Sequence, residues 1–272
     1  MPTPLVKIFT KNAEYQQIEA LRRSRLKRRQ AGEFFVEGVR PINQAVEHGW
    51  QINALLFSRE ARLSDWAEGM LAHAGAKRLV ELPAALMQEL SLKEDPSELI
   101  ALVAMPADDL ARIPQRQNSL VVLLDRPMLP GNVGSVLRSC DALRADGLLI
   151  SGHAADLYDP ETIRASTGSF FAVPAVRLGS PKELLPWIAR QKARQGGLQI
   201  VGTSEDADHA IAAYDFTRPT LLLAGNETHG LSEAYRALCD DMVKIPMYGS
   251  ASSLNLACAT SIVLYEISRQ RG

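Results

Sequence analysis

Aromatic residues are scarce in this chain. Phe, Trp and Tyr together make up 6% of its 272 residues, so aliphatic side chains must build most of the core. Cysteine is rarer still. Cys140, Cys239 and Cys258 are scattered, odd in number and without C-x-x-C spacing, so neither a disulfide framework nor a zinc site is suggested, which suits a reducing cytoplasm. No apolar stretch is long enough to cross a bilayer, and the first residues have no charged-then-apolar leader pattern. The expectation is a soluble, cytoplasmic protein with neither metal nor membrane.

Signatures of familiar sites are also missing. There is no G-x-x-x-x-G-K-[ST], so an ordinary P-loop is excluded, and no G-x-G-x-x-G follows a strand. The five histidines show no H-E-x-x-H or facial-triad spacing, and no G-x-S-x-G elbow occurs. Metallohydrolase and serine-hydrolase chemistry therefore have no support. Neither sign of charge is in excess, with 30 Lys and Arg against 31 Asp and Glu. That balance argues mildly against a polyanionic partner, but local pattern outweighs the total. Arg22, Arg23, Arg25, Lys27, Arg28 and Arg29 crowd one short stretch that contains no acid. Charge pattern alone leaves two readings open, a solvated helix face or a phosphate-binding surface.

What is present is an alternation of strands and helices. Residues 12–30 predict one amphipathic helix stopped by Gly32, with Tyr15, Ile18, Leu21 and Leu26 at helical spacing. Strands follow at 34–36, 52–57, 77–82 and 100–105, with helices at 40–48 and 63–75. A polar, proline-marked stretch at 107–118 reads as a linker between residues 1–106 and residues 119–272. Beyond it, continuous aliphatic strands at 120–124, 148–150, 172–176, 198–201, 221–224 and 242–245 alternate with helices at 132–144, 160–167, 181–195, 232–239 and 253–270. That pattern predicts an α/β domain with a parallel sheet covered on both faces, and its ligand belongs in the loops beyond the carboxyl ends of the strands.

Those loops carry the unusual residues. The segments PGNVGSVLRSCDAL at 130–143, LLLAGNETHGLS at 221–232 and VKIPMYGSASSLNLACATSIVLYE at 243–266 resemble the three ordered motifs of the SpoU (TrmH-like) RNA 2′-O-methyltransferases of the SPOUT superfamily. FFVEGVRPINQAVEHG at 34–49, after the basic helix, resembles that family's L30e-like substrate-binding domain. The resemblance covers nearly the whole chain. It implies an L30e-like α/β domain followed by a SPOUT α/β domain with a trefoil knot, a fold that chain physics alone would not propose. It further implies S-adenosylmethionine in the knotted loops, a homodimer with composite active sites, and methyl transfer to a ribose 2′-hydroxyl. Ribosomal RNA is the expected substrate and transfer RNA the alternative. A non-catalytic RNA-binding member of the fold and a base-methylating SPOUT enzyme are the other readings.

The resemblance assigns residues. Arg138, about two turns along a helix from Asn132, matches the catalytic arginine. Because a guanidinium is an awkward base, its expected task is to stabilise the developing alkoxide and hold the adjacent phosphate. Asn132 is expected as an organiser of the active-site loops, a role compatible with that of an N-cap, and Glu227 is placed to organise Arg138 or the first loop. Ser253, read alone as an N-cap, and Asn255, read as an early-turn residue, join the catalytic centre to the cofactor pocket. Leu223, Ala224, Gly225, Ile245, Met247, Ser253, Leu254 and Asn255 are expected around the cofactor, with Gly225, Gly230 and Gly249 allowing close backbone approach. The basic residues from Arg22 to Arg29 would position RNA through its phosphates. Phe34 and Phe35 are expected in the core, and His229 receives no chemistry.

Overall fold

The computed structural model describes residues 3–194 and 196–272. Its chain divides into two compact units. The first comprises the residues up to Ala107 together with Tyr158–Ala172, and the second comprises Asp108–Leu157 with Val173–Gly272.

The first unit is built from β1 (Leu5–Lys7), α1 (Ala13–Arg23), α2 (Arg25–Ala31), β2 (Glu33–Glu37), α3 (Val39–Glu47), β3 (Ile52–Phe57), α4 (Asp65–His73), β4 (Arg78–Glu81), α5 (Ala84–Leu90) and β5 (Leu99–Ala104). Its sheet has the order β1-β4-β3-β5-β2, parallel from β1 to β3 and antiparallel where β5 pairs with β3 and β2. The single basic helix expected over 12–30 is two helices. Ser24 adopts an extended backbone, its N–H ends α1 on Ala20 O, and its hydroxyl accepts from Lys27 N to start α2. Serine competes well for helix caps because its side chain replaces a lost backbone partner. Tyr15, Ile18 and Leu21 on α1 are buried with Phe35, Leu56 and Leu102, so these three members of the expected stripe form the packing face, whereas Leu26, beyond the break at Ser24, is 62% exposed on α2. Gly32 ends α2 at φ +66°, as a left-handed cap requires.

The second unit contains β6 (Leu120–Asp125), α6 (Pro130–Ala142) and β7 (Gly147–Ser151). The chain then passes through α7 (Pro160–Ala165) and α8 (Ser169–Ala172), which cluster with the first unit. There Phe170 and Phe171 join Phe34, Trp50 and Tyr158, with centroids 4.9 Å apart for Phe34–Tyr158 and 5.3 Å for Trp50–Phe171. Phe34 and Phe35 are fully buried, as expected. The second unit resumes with β8 (Ala175–Leu178), α9 (Leu185–Lys192), β9 (Gln199–Thr203), β10 (His209–Ala210), β11 (Thr220–Ala224), α10 (Glu233–Arg236), β12 (Asp241–Lys244) and α11 (Leu256–Arg271).

Its seven strands run in the order β10-β12-β9-β11-β6-β7-β8, and every pairing is parallel. Strands β6, β7 and β11 are buried along their whole length, which explains why they read as continuous aliphatic runs. The strand expected at 172–176 begins later, because Phe170–Ala172 turns in α8 to bury its two phenylalanines. The helix expected over 181–195 is a 3₁₀ turn, Pro181–Leu184, leading into α9; Gln195 lies outside the described residues. Part of the expected linker is tied down. Ile113 is buried in this unit's core, Asp108 accepts from Arg177 N at 3.0 Å, and Arg112 donates to Ala175 O at 2.9 Å. These contacts occupy β8, an edge strand whose backbone would otherwise be open.

Candidate active site

The loops after β6, β11 and β12 gather at the carboxyl end of the parallel sheet. Two of them are fastened together by Arg126, which the sequence reading passed over. It sits at φ +55°, a conformation rare for a residue with a side chain. Its guanidinium grips both Asp125 oxygens at 3.2 and 3.1 Å and donates to Gly230 O at 3.1 Å. Its own carbonyl accepts from Asn226 Nδ2 at 2.9 Å, and Asp125 also accepts from Ser232 N at 2.7 Å. The available signal was an acid–arginine pair closing an apolar strand.

The second loop closes on itself. Asn226 and Gly230 exchange backbone hydrogen bonds of 3.0 and 2.9 Å, and Asn226 Oδ1 accepts from Thr228 N and His229 N. Gly225 is required by close approach, because a Cβ there would stand 2.1 Å from Gly230 C and Leu231 N. Gly230 is required by its φ of +61°. Gly249 is different: nothing lies within 4 Å of where its Cβ would be, so close backbone approach within this chain does not explain it.

Three predicted residues form one hydrogen-bonded chain. Asn255, not Ser253, is the N-cap of α11: its Oδ1 accepts from Ala257 N at 2.8 Å and Cys258 N at 3.4 Å. The capping oxygen is thereby committed, so the Asn255 amide donates, reaching Asn132 Oδ1 at 3.0 Å. Asn132 in turn donates from Nδ2 to Glu227 Oε1 at 2.6 Å. The helix terminus thus sets the direction of every bond, and Glu227 stands at the end as an acceptor. Asn132 is not itself a cap, since α6 begins at Pro130 with Leu129 in the capping position. It is nine-tenths buried, and Glu227 Oε2 is also buried, with no hydrogen-bond partner among the described residues. Arg138 stands apart from this chain. It is exposed on α6 and makes no hydrogen bond or ion pair among the described residues.

Beside the chain lies a cleft of about 640 Å³, within the range that holds a nucleoside-sized ligand. Of the expected cofactor residues, Ala224, Gly225, Ile245, Met247, Ser253 and Leu254 line it, together with Glu227. Leu223 is fully buried in β11, and neither it nor Asn255 reaches the wall. Reading the motifs missed Thr203 at the end of β9, Ser204, Glu205 and Asp206 just after it, and Arg236 on α10. The rule that ligands sit beyond strand ends would have found the β9 loop. Apolar walls with acids at the rim suit an adenosine carrying a sulfonium. The cysteines offer no competing chemistry within the core, because burial pushes Cys140 to about 12 and Cys239 to about 11, leaving negligible thiolate at neutral pH.

The basic stretch of the first unit is divided in use. Arg22 donates to Glu89 O, Leu90 O and Ser91 O at 2.6–3.1 Å, satisfying the carbonyls that end α5. Arg28 is buried, bonds Leu21 O at 2.7 Å and pairs with Asp159 at 3.4 Å. Arg23 pairs with Glu19, and Arg25 is half-buried. Lys27 and Arg29 are exposed without a partner among the described residues.

Comparison with known proteins agrees with this arrangement. The SpoU rRNA Methylase family matches residues 119–265 and the SpoU L30e-like domain matches residues 12–101. A 23S rRNA (uridine(2479)-2′-O)-methyltransferase of Streptomyces viridochromogenes is 52% identical over 265 residues, covering 97% of this chain and 92% of that protein. The crystal structure of the SpoU methyltransferase AviRb from the same organism, in complex with AdoMet, superposes with a TM-score of 0.91 at 52% identity, over 96% of this chain and 98% of that one. A 23S rRNA (guanosine(2553)-2′-O)-methyltransferase, RlmP, of Bacillus subtilis is 27% identical over 86% of this chain and 88% of its own length. With a family match spanning more than half of its residues and a relative of this identity along almost its full length, the chain belongs to the SpoU rRNA methylase family.

Proposed function

We propose that this protein transfers a methyl group from S-adenosylmethionine to a ribose 2′-hydroxyl of ribosomal RNA. The observation that carries the reading is the chain Asn255–Asn132–Glu227, which runs from the cap of α11 to the wall of the cleft. When bound, the cofactor supplies an electrophilic methyl on a sulfonium. The work of the protein is then to hold a poor nucleophile in line and to stabilise its charge as the proton leaves. Ile245, Met247 and Leu254 provide the apolar walls for the adenosine, and Gly225 lets the loop backbone come close. Glu227 Oε2, buried with no bonded partner among the described residues, is an acceptor available to the hydroxyl proton. Arg138, exposed and without a partner among the described residues, is free to meet a phosphate and the developing alkoxide. The acting unit is a homodimer in the cytoplasm, and the exposed apolar Ile262 and Tyr265 on α11 support a pairing face there. Lys27 and Arg29 are the members of the basic stretch available to RNA phosphates.

Labelled S-adenosylmethionine, incubated with ribosomal and transfer RNA and followed by alkaline digestion, tests this reading. Label should appear in an alkali-resistant dinucleotide from ribosomal RNA. Arg138→Ala should abolish incorporation while cofactor binding persists. Label on a base would overturn the ribose assignment, and label confined to transfer RNA would overturn the substrate.

A further inference from the structure

Arg236 is the single lysine or arginine among the residues that line the cleft, and its guanidinium has no hydrogen bond or ion pair among the described residues. Its helix, α10, lies over the end of β9. A Cβ on Gly202 would meet Cys239 Sγ at 2.8 Å and Leu231 Cδ1 at 2.9 Å, and Cys239 bonds back to Tyr235 O. The loop that leaves β9 lines the same cleft with two exposed carboxylates, Glu205 and Asp206. One region of the cleft therefore carries a cation and two anions, whereas Ile245, Met247 and Leu254 supply an apolar wall. A nucleoside alone has no use for that charged set. A nucleoside with a zwitterionic amino-acid tail does, because its carboxylate and ammonium each need an opposite charge.

We propose that Arg236 binds the α-carboxylate of S-adenosylmethionine, and that Glu205 and Asp206 face its ammonium. This rests on the cofactor reading above. A guanidinium is the suitable group, since its planar fork matches both carboxylate oxygens at once.

Decarboxylated S-adenosylmethionine, which keeps the sulfonium and ammonium and lacks the carboxylate, gives the test by titration calorimetry on the full chain. The wild type should bind S-adenosylmethionine roughly tenfold to a hundredfold more tightly than the decarboxylated compound, the range for losing one charge-assisted contact. Arg236→Gln should weaken S-adenosylmethionine by that factor, leave the decarboxylated compound unchanged and so erase the preference. Arg236→Lys should restore part of it. Equal weakening of both ligands in Arg236→Gln, or no preference in the wild type, would overturn the assignment of Arg236 and leave the cofactor reading standing. Binding of neither compound to the wild type would overturn both.

Discussion

Replacing Asn255 by Asp separates the structural duty of this residue from its chemical one. As the cap of α11, Asn255 uses only Oδ1, and an aspartate caps equally well. Its negative charge at a helix N-terminus adds about 0.3–1 kcal/mol of stabilisation. The other atom is where the variant fails. Asn255 Nδ2 donates to Asn132 Oδ1 at 3.0 Å, whereas an aspartate oxygen there would oppose another acceptor. Asn132 can relieve the conflict by turning its amide over, but it then presents Oδ1 to Glu227 Oε1, now 2.6 Å from Nδ2. Left unturned, Asn132 loses only the bond from residue 255; turned, it loses its bond to the Glu227 carboxylate, worth about 1.5–3 kcal/mol. If that bond holds Glu227 in its working position, the loss corresponds to roughly a 10- to 150-fold fall in kcat at 1.36 kcal/mol per decade. Asn255→Ala loses the cap as well, at about 1 kcal/mol, or roughly 2–4 °C in Tm for a domain of this size. Thermal melts beside single-turnover methyl transfer decide the matter. The reasoning fails if Asn255→Asp keeps wild-type kcat, or if it melts as low as Asn255→Ala.

Four further outcomes are expected. Gly225→Ala would push a Cβ to 2.1 Å from backbone atoms of Gly230 and Leu231, so it should cost about 1–3 kcal/mol and open the cleft loop, read as a lower Tm together with weaker cofactor binding. Arg28→Ala should destabilise by about 3 kcal/mol, the low end for breaking a buried pair, because Asp159 is a third exposed; Lys27→Gln with Arg29→Gln should leave Tm unchanged yet flatten the salt dependence of RNA binding by about 1.5 in log–log slope. The Glu266 carboxyl is held down to about 2, against an ordinary 4.5, first by the hydrogen bond from Arg269 and then by that from Gln270. Its folded form prefers ionisation, so its stabilisation is complete above about 4.5 and drains away as pH falls towards about 2; Glu266→Gln should remove that acid-limb dependence from pH-resolved melts.

Much of the second unit was legible in its sequence, because buried parallel strands admit almost nothing but aliphatic residues. Leu120–Asp125 and Thr220–Ala224 announce themselves in this way. Shorter elements left no such mark. Strand β1 has three residues, one facing inward, and β10 has two. Helix α5 opens at Pro83 without a side-chain cap, so no start signal precedes it. The break at Ser24 was hidden because both halves continue one helical period across it. In the site, Asn132, Glu227 and Asn255 were found as motif residues, but their order of donation follows from which oxygen caps α11, a fact of three dimensions. Arg126 was missed because its partners, Gly230 O and Asn226, lie about a hundred positions away. The charge run at 22–29 shows the opposite error. Residue type suggested one shared purpose, while burial gave Arg22 and Arg28 to helix ends and left Lys27 and Arg29 outside.

The strand order of the second unit has a consequence for synthesis. Strand β11 lies between β6 and β9, yet it leaves the ribosome long after β6. From Asp125 to Thr220 is 220 − 125 = 95 positions, or about 5–20 s of translation at ordinary speeds. Throughout that interval the nascent chain carries Leu120–Asp125 with one flank of backbone donors and acceptors unclaimed, on one of the most apolar segments of the protein. Such a flank recruits any passing strand. The order of this sheet therefore makes the growing polypeptide a client for chaperones at a definite stage, between the emergence of its sixth strand and that of its eleventh.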